Sequence, residues 1–320
     1  PQAATIEHYR SEGLDLIPGS GLLAAVVPGA FDAWMLMLRD HGRLSLRKIL
    51  EPAIHYARAG HPVLPRVAAT ISGLAEFFRD EWPSSAAVWL AGGNAPEPNS
   101  LFCNPDLADS WDRLLRETEA VTGREAQIEA ARTAFSRGFI AEAVDHWMRD
   151  ACVMDSTGER RKGVLRGDDM AKWAASYEPP LSVDYESWTV WKADTWSQGP
   201  SLLQSLRLLD GSGVGDLDPN GAKFVHLVTE AMKLSFADRE AYYGDPKQSD
   251  IPIQTLLSAD YAAQRRGLIG ATASADQRPG RIEGFEGWAE EAVQRAARRH
   301  VAEPGAGIGE PTMAHLDESR

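Results

Sequence analysis

The side chains best suited to chemistry lie in one segment, residues 223–246 (KFVHLVTEAMKLSFADREAYYGDP). His226 and Glu230 stand four residues apart, so both would lie on one face of a helix, a spacing that suits two metal ligands. A metal site would need further ligands on that face, and a surface pair is favoured instead. Asp238 and Arg239 have side chains that suit catalysis, but the pattern favours a structural ion pair or a helix cap.

The other reactive or charged groups have plainer explanations. Cys103 and Cys152 have neither metal-ligand nor C-x-x-C spacing, and two free thiols in or near the core are favoured over a disulfide. The basic run at 159–163 (ERRKG) is interpreted as a solvated face, because no Gly-rich loop supports a phosphate grip. Tryptophans at helical spacing, such as Trp111 and Trp147, are assigned to the core rather than to a sugar platform.

Recognised catalytic motifs are absent from the sequence. It contains no G-x-S-x-G, H-E-x-x-H, Walker or G-x-G-x-x-G motif. The glycines at 211 and 213 follow a helical pattern rather than a strand, so they indicate a linker and not a dinucleotide loop. On its own residues, the chain is therefore expected to carry no nucleophile, general base, metal ligand or cofactor.

Charge and hydropathy exclude two classes of partner. The 320 residues carry a formal net charge of −13, with no basic excess to neutralise the phosphates of a nucleic acid. The longest apolar run, at 22–27, is far shorter than the ~20 residues that a membrane-spanning helix needs. Because the sequence begins at Pro1, targeting is not readable, and a soluble protein of a bacterial-type cytoplasm or periplasm is expected.

Helical periodicity dominates the rest of the chain. One pair of strands is predicted at 181–193 (LSVDYESWTVWKA), where apolar side chains alternate. Loops are predicted at 92–105 and 211–221, which are rich in helix breakers. Helices are predicted at 31–42, at 46–59 with Ser45 as its cap, and at 66–80, 106–122, 124–134, 139–150, 200–210, 253–269 and 285–300.

The longest helix precedes Gly244, which breaks the pattern. Asp218 is predicted to cap its start, with Pro219 in the first turn. One face is expected to be buried. The residues on that face are Phe224, Leu227, Val228, Ala231, Leu234 and Ser235.

Many of the helices have apolar faces wider than their neighbours alone can cover. An all-α domain would explain this. Alternatively, a second polypeptide supplies most of the sheet that these helices cover.

Residues 224–246 resemble a segment of the γ-glutamyltransferase (γ-glutamyltranspeptidase) family, EA-K-(L)-(A/S)-FADR-x-x-Y-x-GDP, on its large subunit. Further blocks match the same subunit in order, from Pro1 to about residue 270. Their order and spacing, rather than any single block, carry the resemblance. The blocks are residues 3–5, 21–29, 46–63, 104–108, 135–140, 199–210 and 256–266.

The resemblance implies a fold and a partner. The family belongs to the N-terminal-nucleophile hydrolase superfamily, so an α+β chain is expected, the helix-rich large subunit of an αββα sandwich. A small subunit cut from the same precursor would complete the sheets, as a heterodimer or a dimer of heterodimers. Its new N-terminal Thr would be the nucleophile, since a free α-amino group titrates near pH ~8 and can serve as its base.

The resemblance also implies an activity without a cofactor: hydrolysis or transfer of the γ-glutamyl group of glutathione-like small-molecule amides. Many members have a Pro-rich stretch that runs into Ser-Ser-Gly-Gly, whereas this chain has WSQGP at 196–200. This departure leaves the acyl group open. The alternative enzyme is a cephalosporin or glutaryl-type amide acylase of the same superfamily. A non-catalytic helical binding module is the alternative of another class.

Two loops are predicted to wall the substrate pocket, because each combines Gly or Pro backbone with an adjacent helix start. Their residues are Val27, Pro28, Gly29, Gln198, Gly199 and Pro200.

Two divisions of the chain are expected. The family domain, without its N-terminal part, is expected to occupy residues 1–300. Residues 301–320, rich in Gly and Pro, are predicted to form a flexible tail near the autoprocessing site, where a large subunit would end.

Overall fold

The computed structural model describes residues 1–301, which divide into two compact units, one of Pro1–Ser176 and one that begins at Tyr177. Helices predominate in both units, and the strands form short antiparallel pairs, so the chain is helix-rich α+β as predicted. The predicted tail, apart from Val301, lies outside the described residues. Over the described part of the chain, no helix is both long enough and apolar enough to cross a bilayer.

The first unit is mainly helical. Its strand pairs are β1 (His61–Pro62) with β2 (Leu101–Phe102) and β3 (Cys152–Met154) with β4 (Arg160–Lys162). Its helices are α1 (Ile6–Ser11), α2 (Ala30–His41), α3 (Leu46–Ala59), α4 (Pro65–Gly73), α5 (Ala75–Asp80), α6 (Pro83–Trp89), α7 (Pro105–Glu119), α8 (Arg124–Ser136), α9 (Phe139–Asp150) and α10 (Gly167–Lys172).

The main core of this unit lies among α2, α3, α7 and α8. Phe31 stacks between Trp111 and Phe135, with ring centroids 5.4 and 4.5 Å away. Leu114 on α7 is fully buried against the same cluster. The predicted cap Ser45 is confirmed, since its hydroxyl accepts from the amide of Lys48. Helix α3 therefore begins where its sequence signal places it, and the apolar faces of these four helices meet.

Among its described residues, the second unit contains one hairpin, five α-helices and a short 3-10 helix. The hairpin pairs Val183 with Val190 at its centre, as the alternation predicts. The elements are β5 (Leu181–Tyr185), β6 (Trp188–Lys192), α11 (Gly199–Leu209), α12 (Ala222–Tyr242), α13 (Ile253–Leu256), α14 (Ala259–Arg266) and α15 (Glu286–Val301).

Helix α12 packs along α11, and its buried face is the predicted one. Ala231 and Leu234 are fully buried beside Leu208 of α11. The hydroxyl of Ser235, also fully buried, lies 2.8 Å from that of Ser205, so a polar contact spans the two helices inside the apolar interface. This pair of helices is the scaffold on which the candidate site of the second unit is built.

Two predicted helices are each two helices in the structure. Residues 66–80 divide at Leu74, whose amide bonds back to carbonyls of the preceding turn. The residue before it is Gly73, and glycine favours a helix end because of its low helix propensity. Residues 253–269 divide where Ser258 caps the start of α14.

The predicted start of α12 is wrong. The Asp218 carboxylate accepts the amide of Asn220 at 3.0 Å, and its carbonyl accepts the amide of Gly221 at 2.8 Å. Asp218 and Pro219 therefore belong to a turn, and Gly221 occupies the N-cap position of α12.

The basic run lies in the hairpin of β3 and β4. The sequence does not predict this hairpin, because strands of three residues are too short to show an alternation of apolar and polar side chains. Asp155 in its turn is fully buried and accepts from Arg161 at 2.7 Å. Arg161 is thus not part of a solvated face. Arg160 forms an ion pair with Glu81.

Two predictions about the core are wrong in part. Trp147 is 44% exposed, although Trp111 packs against the main core as predicted. Cys103 and Cys152 are free thiols as predicted, but both are exposed rather than in or near the core.

Candidate functional site

The first predicted pocket loop lies in the first unit, immediately before α2. The amide of Gly29 donates to the carbonyl of Val27 at 2.8 Å, which closes a tight turn around Pro28. Val27 packs against a buried cluster that includes Met170, whereas Pro28 is exposed. A Cβ on Gly29 would lie 2.3 Å from the ring of Trp173, so a larger residue here would displace either the turn or that ring. The turn is therefore tightly packed on one side and open on the other.

The second predicted loop lies in the second unit, at the start of α11. Gln198 is exposed at the N-cap position, and Gly199 and Pro200 are buried in the first turn. A Cβ on Gly199 would lie 2.7 Å from the carbonyl oxygen of Ala193, so glycine is needed for this close approach. Gln198 is therefore open to solvent, whereas Gly199 and Pro200 are packed inside the unit.

A surface pocket of about 480 Å³ opens beside Gln198. Arg239 of α12 lines it and donates from Nη1 to the Gln198 amide oxygen at 2.9 Å. Tyr243 lines it too, one helical turn beyond Arg239. The spacing of four residues between Arg239 and Tyr243 is the signal in the sequence that these two share a face. Sequence reasoning named Asp238 and Arg239 but missed Tyr243.

Behind the pocket lies a buried ion pair. Asp238 is almost fully buried and accepts from Arg265 at 3.2 Å and from the amide of Gly280 at 2.7 Å. Gln204 donates to the other carboxylate oxygen at 3.0 Å, and its own amide oxygen accepts from the hydroxyl of Tyr243. A hydrogen-bond chain thus links the buried Asp238 to the wall of the pocket.

Burial dominates the electrostatics of this chain of groups. It raises the pKa of Asp238, although the charge of Arg265 and the Gly280 amide oppose the shift. Burial likewise raises the pKa of the Tyr243 hydroxyl, and the Asp238 charge adds to the effect. Tyr243 therefore remains a neutral hydrogen-bond donor across the physiological pH range.

The predicted pairing of Asp238 with Arg239 is wrong. Adjacent residues on a helix point about 100° apart, so Asp238 faces the interior while Arg239 faces the pocket. Arg239 instead pairs with Glu240 at 2.5 Å and lies over the ring of Phe236 at 4.6 Å. Asp238 has a structural role, as predicted, but its partner comes from α14.

The predicted surface pair of His226 and Glu230 is also wrong. Glu230 is only 1% exposed and accepts from Lys233 and Arg278, each at 2.6 Å. Hydrogen bonds to these groups lower its pKa to about 2, against the opposing effect of burial. His226 contacts the carbonyl of Gly270 at 2.8 Å. Residues 270–284, called the strap below, cover this face of α12.

No group of three or more His, Cys, Asp and Glu side chains suited to a metal ion occurs within residues 1–301. The charged residues singled out in the sequence are instead engaged in the ion pairs just described. What the second unit offers is a polar pocket with a guanidinium, an amide and a phenol on its wall.

Comparisons with known proteins agree with the predicted resemblance. A family model described as gamma-glutamyltranspeptidase matches residues 1–301. The glutathione hydrolase-like YwrD proenzyme of Bacillus subtilis is 31% identical over 271 residues, which cover 84% of this chain and 47% of that protein.

Two solved structures are similar to the chain. LmbA2991HD is 49% identical with a TM-score of 0.82, over 89% of this chain and 48% of that one. The cephalosporin acylase from Bacillus halodurans is 26% identical with a TM-score of 0.73, over 88% and 48%. The chain spans about half the length of these relatives. Because the family model covers nearly all of its residues, the chain belongs to the gamma-glutamyltranspeptidase family.

Proposed function

We propose that this chain is the large subunit of a γ-glutamyl hydrolase or transferase that acts on glutathione-like γ-glutamyl amides. One observation carries the proposal: the family match extends over residues 1–301, yet the chain spans only about half of the proenzymes it resembles. The other half of such a precursor would supply the nucleophile. Glu230 and Asp238 are engaged in structural ion pairs, which supports the proposal that the other half of the precursor, and not this chain, supplies the nucleophile.

The proposed mechanism uses the N-terminal Thr of a small subunit cut from the same precursor. Its α-amino group takes the hydroxyl proton, and the hydroxyl attacks the γ-carbonyl carbon of the substrate. Hydrogen-bond donors stabilise the negative charge on the tetrahedral oxygen. The C–N bond then breaks as the α-ammonium group returns the proton to the nitrogen of the leaving amine. Water or a second amine attacks the resulting ester and releases the acyl group.

The role proposed for this chain is to wall the pocket. In the first unit, Val27, Pro28 and Gly29 would line a surface that contacts the substrate. In the second unit, the turn that begins at Gln198 would line such a surface. The rigid turn at Gly29 and the buried backbone of Gly199 and Pro200 support the proposal, because such loops hold their exposed neighbours in fixed positions. The small subunit would complete both the pocket and the two sheets, in a heterodimer or a dimer of heterodimers.

The test uses the precursor that contains both subunits. We expect the wild-type precursor to cleave itself and then to release the aniline from a γ-glutamyl anilide. A variant with Ala in place of the new N-terminal Thr should remain uncut and inactive, because it lacks the nucleophile. Hydrolysis of the anilide by purified residues 1–320 alone would overturn the proposal.

A second candidate function is an amide acylase on a non-glutamyl acyl group. The structural similarity to a cephalosporin acylase favours it. A glutaryl anilide lacks only the α-amino group of the γ-glutamyl anilide, so the ratio of kcat/KM for the two substrates distinguishes the candidates. A ratio in favour of the γ-glutamyl substrate supports the first proposal. A non-catalytic binding module would process neither substrate.

A further inference from the structure

An apolar pocket lies within the first unit, lined by residues of α4, α5 and α6. Its volume is about 380 Å³, near the lower end of the ~300–1,000 Å³ that is typical of small-molecule sites. Ile71 and Phe78 on its wall are buried, whereas Val67 and Trp89 are 43% and 38% exposed. The pocket therefore has a buried apolar floor and a rim that solvent reaches.

The apolar wall suits an alkyl chain. Three aliphatic side chains line it, those of Val67, Ile71 and Leu74. The two aromatic rings on the wall already have stacking partners, since the Trp89 ring centroid lies 5.0 Å from that of Phe102 and the Phe78 centroid lies 6.2 Å from that of Trp82. An alkyl chain needs no stacking partner, and its burial is favourable in proportion to the apolar area removed from water.

A single charged residue, Arg66, is among those that line this pocket. Arg66 is exposed in the first turn of α4, and its guanidinium forms no hydrogen bond or ion pair with any residue that the structure describes. The helix dipole disfavours a cation in the first turn, so helix stability does not explain this arginine. Thr70, the other polar residue on the wall, donates its hydroxyl proton to the Arg66 carbonyl at 3.0 Å. Free guanidinium donors beside an apolar pocket fit a carboxylate at the end of an alkyl chain.

The charge of the whole chain favours a free ligand over a membrane surface. The formal charge of −13 opposes adsorption of the chain to an anionic bilayer. A single carboxylate beside Arg66 depends on that local contact instead, because salt screens exposed charges more than about 8 Å away.

We propose that this pocket binds a free medium-chain alkyl carboxylate. The alkyl chain packs against Val67 and Ile71, and the carboxylate accepts from the guanidinium of Arg66. The pocket shares no lining residue with either predicted substrate loop. The inference therefore goes beyond the proposed function, and it requires neither a γ-glutamyl substrate nor a Thr nucleophile.

The test measures the binding of octanoate to the assembled protein by titration calorimetry, at concentrations where octanoate is monomeric. Octylammonium and 1-octanol have the same chain without the negative charge, so each should bind at least about threefold more weakly. Butanoate should bind at least about tenfold more weakly, because its shorter chain buries less apolar surface.

Three variants locate the site. Arg66→Met should weaken octanoate binding by about three- to tenfold and leave 1-octanol binding unchanged, because only the carboxylate uses the guanidinium. Val67→Trp places a bulky ring at the half-exposed rim and should weaken the binding of both ligands at least several-fold. Arg43→Met is the matched control, since Arg43 is exposed in the same unit, does not line the pocket and should leave both affinities unchanged.

Several results would overturn the inference. One is the absence of octanoate binding to the assembled protein, which is the result expected if a partner subunit covers the pocket. Equal binding of octanoate and octylammonium, or unchanged octanoate binding in Arg66→Met or Val67→Trp, would overturn it as well. Hydrolysis of a γ-glutamyl anilide by the same preparations should be unchanged in Arg66→Met. That activity reports separately on the proposed function, so the two ideas can fail independently.

Discussion

The two buried carboxylates of α12 have pKa values that shift in opposite directions. Glu230 is surrounded by Lys233, Arg278 and an amide, and its pKa falls to about 2. Asp238 is buried with a single paired cation, and burial raises its pKa. Glu230 has two cationic partners and Asp238 has one, so for Asp238 the effect of burial is the larger one.

Glu230→Gln should lower the free energy of unfolding at neutral pH by about 1–3 kcal/mol, because it leaves Lys233 and Arg278 without their counter-charge. Lys233 is 35% exposed, so solvent screening favours the lower end of this range. Chemical denaturation of the assembled protein measures the change. Glu283→Gln, at an exposed carboxylate in the same unit, serves as the control and should alter stability by less than about 0.5 kcal/mol.

The Glu230 contribution should depend on pH with a defined sign. Its folded pKa of about 2 lies below the ordinary value of 4.5, so its stabilising effect is complete above pH 4.5 and is lost as the pH falls toward 2. The stability difference between wild type and Glu230→Gln should therefore shrink across this window. Denaturation curves at several pH values test this, and a difference that stays constant from pH 5 to 2 would contradict it.

Gly29→Ala should have a larger effect on substrate binding than on the free energy of unfolding of the chain. A methyl group there would lie 2.3 Å from Trp173, so either the turn at Pro28 or the Trp173 ring must move. If this turn walls the pocket, KM for the γ-glutamyl anilide should rise at least several-fold. Gly73→Ala, which meets no atom within 4 Å, is the control and should leave KM unchanged.

At the scale of elements, helix α12 holds the strap through contacts repeated about every four residues. His226, Glu230, Asp238 and Tyr242 each contact the strap, the last through a 2.6 Å bond from its hydroxyl to the Gly280 carbonyl. Residues four apart form one row along a helix, so a single row fixes an otherwise irregular segment. These polar contacts add to the apolar packing of Ile282, which is buried in a cluster with Tyr242 and Tyr261.

Gly280→Ala should loosen the strap. A Cβ at this position would lie 1.9 Å from the Tyr261 hydroxyl, and the displacement should cost about 1–3 kcal/mol of stability. Gly270→Ala is the matched control, because a Cβ there meets nothing within 4 Å, and its effect should stay within about 0.5 kcal/mol. Thermal denaturation compares the two variants. Faster hydrogen exchange in 271–284 for Gly280→Ala alone would assign the loss to the strap.

At the scale of the whole molecule, the hairpin of β5 and β6 is a two-stranded sheet, and such sheets are marginal alone. Trp188 and Trp191 on β6 are 72% and 59% exposed. An obligate partner commonly buries more than ~2,000 Å² in total, and exposed aromatic side chains beside open strand edges are what such a partner would cover. These features support the proposal that a small subunit completes the sheet.

Assembly should therefore slow hydrogen exchange in the hairpin. We expect the amides of 181–192 to exchange more slowly in the assembled protein than in this chain expressed alone, since new backbone hydrogen bonds would form at the strand edges. Amides of α7, in the core of the first unit, provide an internal reference. Equal exchange of the hairpin in both samples, with cooperative unfolding of the isolated chain, would contradict the proposed sheet completion.

Helical periodicity in the sequence predicts most of the long helices, and the alternation of apolar side chains predicts the hairpin of β5 and β6. It does so because apolar spacing and capping residues such as Ser45 act over a few neighbouring residues. The same local signals identify the face of α12 that carries Ala231 and Leu234. The family resemblance is likewise a property of the sequence alone, and the family model confirms it.

Only the tertiary structure decides the partners of the charged groups. The sequence predicts that Glu230 is a surface residue. In the structure, the strap covers Glu230 and supplies Arg278, which lies more than 40 positions later in the chain, as its partner. Asp238 pairs with Arg265, which lies on another helix, and not with its neighbour Arg239. Arg239 faces the pocket, where it contacts Gln198. The physical reason is that the segments packed against a charged group determine its partner and its pKa. Contacts between residues so distant in the sequence leave no periodic pattern in it.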